Sequence, residues 1–124
     1  ANIIREGSNK VIFLNFGSLL HEAITVSEAL DLTLIDMRFV KPLDKEILIK
    51  YLTTAELFVS LEDGSIAGGA GSGVQEFCSE ENIVIKSKLL GIPDIFIEHA
   101  SREEMIEDAG LTAIQIEKTL LPLM

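Results

Sequence analysis

Residues 57–78, LFVSLEDGSIAGGAGSGVQEFC, constrain this chain more than any other stretch. The branched and aromatic run from Leu57 to Leu61 predicts a buried strand, closed by Glu62 and Asp63. Glycines at 64, 68, 69, 71 and 73 line the loop that follows, and the spacing predicts a helix from about Gly73 to Ser79. Ser72 and Gln75 stand at the separation of a capping box for that helix, whose Val74, Phe77 and Cys78 would face inward. A strand, a tight glycine-lined loop and a helix N-terminus in this order belong to open α/β sheets, where the loops beyond the strand ends usually carry function.

The rest of the chain repeats that rhythm. Residues 1–6 predict a short edge strand, and 10–17 (KVIFLNFG) are almost continuously apolar, as in a strand covered on both faces. Apolar positions at helical spacing follow from Leu19 to Leu30. Residues 32–40 predict the next strand, after which Pro42 interrupts pairing and Asp44 caps a helix through Tyr51 or Leu52. The final strand is expected at 83–90, where Lys86 and Lys88 alternate as on a half-wet edge. Ser101 with Glu104 and Thr112 with Gln115 then open two helices, the first stopped by Gly110. The expectation is a three-layer α/β/α domain over residues 1–124 with a mostly parallel sheet.

Charge and composition remove several classes of function. Twenty Asp and Glu against 10 Lys and Arg give a net charge of −10, a field that opposes nucleic acid and anionic membrane surfaces. No run reaches the ~18 apolar residues of a membrane span, and the N-terminus lacks the pattern of an export signal, so a cytoplasmic protein is expected. A single cysteine, Cys78, allows no internal disulfide and reads as core. His21 and His99 are the only histidines and form no metal motif; His21 reads as solvated, and His99 stands in a loop before a helix cap.

The loop GGAGSG, with Gly68, Gly69, Gly71, Ser72 and Gly73, could hold an anion or nucleotide at the helix start. It lacks the lysine and Ser or Thr of a P-loop and the context of a dinucleotide fingerprint, and tight packing against a neighbouring segment is the competing reading. Glu62 and Asp63 could serve proton transfer; alternatively Glu62 accepts N–H bonds from the glycine loop or faces a partner, and Asp63 begins the turn. Arg38, late in its strand, suits a clamp on a carboxylate of its own chain or of a neighbouring domain, with a substrate phosphate as the alternative.

Three segments together, DMRFVKPLD (36–44), LEDGSIAGGAGSGVQEF (61–77) and LLGIPDIFIEHASREEMIEDAGL (89–111), closely resemble the C-terminal domain of the 1-deoxy-D-xylulose-5-phosphate synthase family, and NFGSLLHEA (15–23) fits the same pattern. The resemblance spans essentially the whole chain. It implies a transketolase C-terminal domain-like sheet of five strands, four parallel and one antiparallel, with residues 1–6 as the odd strand. It also implies a parent enzyme that condenses pyruvate with glyceraldehyde 3-phosphate, with loss of CO2, and feeds isoprenoid, thiamine and pyridoxal synthesis. That enzyme uses thiamine diphosphate and Mg2+, both bound by upstream domains, and works as a homodimer. The chain would then be a piece of a longer enzyme, inactive alone, whose Arg38, Glu62 and glycine loop pack it against the upstream domains. A 2-oxo acid dehydrogenase β subunit, a transketolase and a freestanding anion-binding module are the alternatives.

Overall fold

A computed structural model of the chain describes residues 1–38, 43–63, 69–92 and 101–124. In chain order the elements are strand β1 (Asn2–Arg5), β2 (Val11–Phe16), helix α1 (Leu20–Leu30), β3 (Thr33–Asp36), α2 (Lys45–Leu52), β4 (Leu57–Glu62), α3 (Ala70–Glu80), β5 (Lys86–Gly91), α4 (Arg102–Asp108) and α5 (Ala113–Leu120). A short 3-10 turn, Leu121–Leu123, follows.

The strands form one sheet in the order β1-β3-β2-β4-β5. All neighbours run parallel except β1, which is antiparallel to β3, so the five-stranded arrangement and its odd strand are those expected. Alternation along the strands sends successive side chains to opposite faces and creates two cores. Val11, Phe13, Leu34, Val59 and Leu61 meet α1, α4 and α5 through Ala23, Val26, Ile106, Ile116 and Leu120. Ile12, Leu14, Phe16, Ile35 and Phe58 meet α2 and α3 through Leu48, Leu52, Val74, Phe77 and Cys78. Every residue of β2 and β4 is buried, which explains why their runs are apolar apart from Asn15, Ser60 and Glu62.

Three element bounds differ from expectation. Strand β3 stops at Asp36, not near residue 40: its last partners are Asn15 on β2 and Asn2 on β1, and Arg38 turns into the left-handed region at φ 60°. Strand β5 begins at Lys86, not 83, because Ile83 is still engaged in closing α3, donating its N–H to Cys78 O at 2.8 Å. Helix α3 begins at Ala70, three residues before Gly73, with Gly69 at the N-cap and no side-chain cap of its own. Ser72 therefore lies inside the helix and no Ser72–Gln75 box forms; Gln75 donates to Ser87 Oγ on β5 at 2.7 Å instead.

Candidate functional site at the carboxyl end of the sheet

Parallel pairing brings the ends of four strands into one row. Phe16 stands opposite Glu62, Glu62 opposite Gly91, and Asn15 opposite Asp36. This edge gathers most of the polar residues that the sequence marks out, and the sheet turns Glu62 and Asp63 to opposite sides of it.

Glu62 continues the β4 side chains that face α3. Its Oε2 accepts the Gly71 N–H at 3.0 Å, and the Ala70 N–H supports the same carboxylate. The first turn of α3 is thus capped by an acid from the neighbouring strand, where unpaired N–H groups and the helix dipole favour negative charge. Glu62 is 8% exposed. Burial pushes its carboxyl above the ordinary 4.5, the two N–H groups pull it back, and the adjacent Asp63 adds to the rise.

Gly71 owes its identity to the same junction. A Cβ there would run into Ser60 Oγ and come within 2.7 Å of Leu89 Cδ2, so only glycine lets α3 lie this close to β4 and β5. At Gly73 a Cβ would meet nothing nearer than Leu43 Cδ1 at 3.9 Å, and Gly69 has an extended backbone. Gly68 lies outside the described residues, as do Pro42 and His99.

Asp63 points the other way and ties three segments together. Its Oδ2 accepts the Ser18 N–H at 3.1 Å and the Ser18 hydroxyl at 2.5 Å. Arg102, at the start of α4, donates to Ser18 O at 2.8 Å and pairs with Glu22 Oε1 on α1 at 3.7 Å. Gly17, at φ 116°, leaves room for the Asp63 carboxylate that a Cβ would strike. Burial alone would raise Asp63, but the two Ser18 bonds, with Arg102 beyond them, hold its carboxyl below the ordinary 3.8. In the sequence Asp63 stands as a carboxylate for proton transfer or as the start of a turn, and nothing there joins it to Ser18 or Arg102. Their separations, 45 and 84 residues, leave no local signal.

Arg38 Nε lies 3.8 Å from Asp36 Oδ2, with the guanidinium 59% exposed and Asp36 largely covered. Asp36 also accepts from Asn15 Nδ2 at 3.4 Å, and Asn15 Nδ2 reaches Gly17 O at 3.1 Å. Cys78 is buried, and burial pushes its thiol up, away from a reactive thiolate. His21 is exposed on α1. Among the described residues no group of three His, Cys, Asp or Glu side chains is placed to hold a metal. Among the described residues, the carboxylates at this edge are engaged in fixing a helix start and a loop crossing, Glu62 through the Gly71 N–H and Asp63 through the Ser18 N–H and hydroxyl.

A mostly parallel five-stranded sheet with one antiparallel edge strand, and an acid-to-glycine junction at its carboxyl end, defines a transketolase-type C-terminal domain. The chain belongs to that family: the family model for the transketolase C-terminal domain matches residues 1–116. Among curated proteins it is similar to the 1-deoxy-D-xylulose-5-phosphate synthase of Proteus mirabilis (strain HI4320), 45% identical over 118 residues that make up 95% of this chain and 19% of that enzyme. The synthase of Stutzerimonas stutzeri (strain A1501) is 46% identical over 115 residues, 93% of this chain and 18% of its own length. The chain thus spans about a fifth of the length of the curated relatives it matches. Among solved structures it is similar to a split-gene transketolase, described as an inactive β4 tetramer, with a TM-score of 0.85 and 27% identity over 96% of this chain and 40% of that one.

Proposed function

We propose that this domain serves as the C-terminal domain of a 1-deoxy-D-xylulose-5-phosphate synthase and that its own work is assembly. The parent enzyme would be a thiamine diphosphate-dependent transferase that joins pyruvate to glyceraldehyde 3-phosphate with loss of CO2. The observation that carries this reading is the similarity to curated synthases along nearly the full chain, well above the identity to the solved transketolase.

The geometry supports an assembly role over an anion-binding one. Glu62 already supplies the negative charge at the start of α3, and a phosphate brought there would meet that carboxylate inside a chain of net charge −10. For the same reason the described residues do not fit thiamine diphosphate and Mg2+, and in this reading both are held by other domains of the enzyme. Arg38, largely exposed beside Asp36, is then a contact offered to those domains, together with the glycine loop. A homodimer in the cytoplasm completes the proposal; consistent with it, no helix among the described residues is long and apolar enough to cross a membrane.

The test is association. The chain is mixed with a Proteus mirabilis synthase lacking its C-terminal domain, and the mixture is followed by sedimentation velocity. A complex is expected, as is the absence of saturable binding when the chain alone is titrated with inorganic pyrophosphate. Failure to associate, or tight pyrophosphate binding by the chain alone, overturns the assembly reading.

A further inference from the structure

Ile114 and Leu121 stand one heptad apart on α5 and the turn that continues it, 65% and 56% exposed. Leu121 keeps a helical backbone at φ −50° and ψ −47°, so one stripe runs Ile114, Glu117, Lys118, Leu121, clear of Ile116 and Leu120, which fill the core. Among the described residues of the other helices, α2 exposes one large apolar side chain, Ile49, and α1, α3 and α4 expose none. An apolar pair at helical spacing on a solvent face is therefore particular to α5, and burial against another surface would stabilise it.

Charge decides what can cover this face. The chain carries a net charge of −10, and α4 exposes Glu103, Glu104, Glu107 and Asp108, so a basic partner finds its complement on α4. The α5 stripe holds one acid and one base, and two acidic copies repel least where their surfaces are balanced. It is also its own complement. Turned antiparallel about a twofold axis, Ile114 meets Leu121 of the second copy and Glu117 meets its Lys118, each contact made twice. A parallel pair would set Glu117 on Glu117 and Lys118 on Lys118, which like charge opposes.

We propose that this face is an interface between two copies of the chain, with α5 packed antiparallel on its twofold mate. Ile114 of each copy lies against Leu121 of the other, and Glu117 of each against Lys118 of the other. The apolar pairs supply the attraction and the charge pairs fix the direction. The inference goes beyond the function proposed above by naming the face through which the domain meets its own copy. It holds whichever enzyme the domain serves.

The test is sedimentation equilibrium of the 124-residue chain over a concentration series, beside the variants E117K, K118E and E117K/K118E. The parent chain is expected to dimerise as concentration rises. Each single change sets like charges across the axis twice and is expected to weaken the dimer roughly ten-fold, whereas the double change exchanges the pair and restores it. Net charge alone would act otherwise: E117K makes the chain less acidic and K118E more so, and the two singles would move in opposite directions. Adjacent residues do not face each other along a helix, so the rescue reports a contact between copies. A monomer at every concentration into the millimolar range, singles that leave the dimer intact or move it in opposite directions, or a double variant as weak as the singles would overturn the proposal. None of these outcomes bears on association with the truncated synthase, which tests the assembly reading separately.

Discussion

Glu62 and Asp63 are neighbours in the chain whose carboxyls are displaced in opposite directions, and this sets opposite pH signatures for them. For Glu62 the folded value lies above the unfolded one, so its contribution to stability is complete below about 4.5 and declines as pH rises through the raised folded value. For Asp63 the folded value lies below the unfolded one. Its contribution is present above about 3.8 and is lost as pH falls through the depressed folded value. Urea denaturation between pH 3 and 7 checks this: as pH rises, Glu62→Gln should gain on the parent chain, whereas Asp63→Asn should lie behind it above about 3.8 and draw level as pH falls below that value. Equal slopes for the two variants would contradict the geometry at the end of β4. The glycines of α3 give a second residue-level prediction. Gly71→Ala should destabilise by about 1–3 kcal/mol through overpacking against Ser60 and Leu89, even though alanine favours the helix. Gly73→Ala, with open space at its Cβ, should stabilise by roughly 0.5–1 kcal/mol. Thermal melts of the two variants should therefore move apart.

Elements whose ends carry their own chemistry were legible in the sequence, and elements closed by distant partners were not. Asp44 accepts from the Ile47 N–H, Ser101 from the Glu104 N–H, and Thr112 with Gln115 forms a complete capping box, all at positions that spacing alone indicates. At Ser101 only the serine half of the expected box is seen. Thr112→Ala should cost about 1 kcal/mol, read from denaturant midpoints. Gly110 at φ 77° ends α4 as a glycine should, but α1 and α3 end through Asp31 and Asn82 in the same left-handed region, where composition gives little warning. The start of α3 was misread for a deeper reason: its cap is Glu62, eight residues before Ala70 and on another element, so a local Ser72–Gln75 pair looked like the only candidate. Within the site, the acceptance of loop N–H groups by Glu62 was among the options the sequence offered. The Asp63–Ser18–Arg102 crossing depends on strand order and could not be read from spacing.

At the scale of the whole molecule, the sheet gathers its polar residues at one end and its cores on two faces, and the carboxylates placed there hold loops and helix starts in register. Among the described residues, the carboxylates at the strand ends, Glu62 and Asp63, are bonded within the domain and hold the start of α3 and the Ser18 loop in place. The most direct measurement replaces the C-terminal domain of the Proteus mirabilis synthase with this chain and assays formation of 1-deoxy-D-xylulose 5-phosphate from pyruvate and glyceraldehyde 3-phosphate. The assembly reading predicts that the enzyme without the domain is inactive and that the chimera forms product. A truncated enzyme as active as the intact one, or a folded, dimeric chimera that forms none, would contradict it.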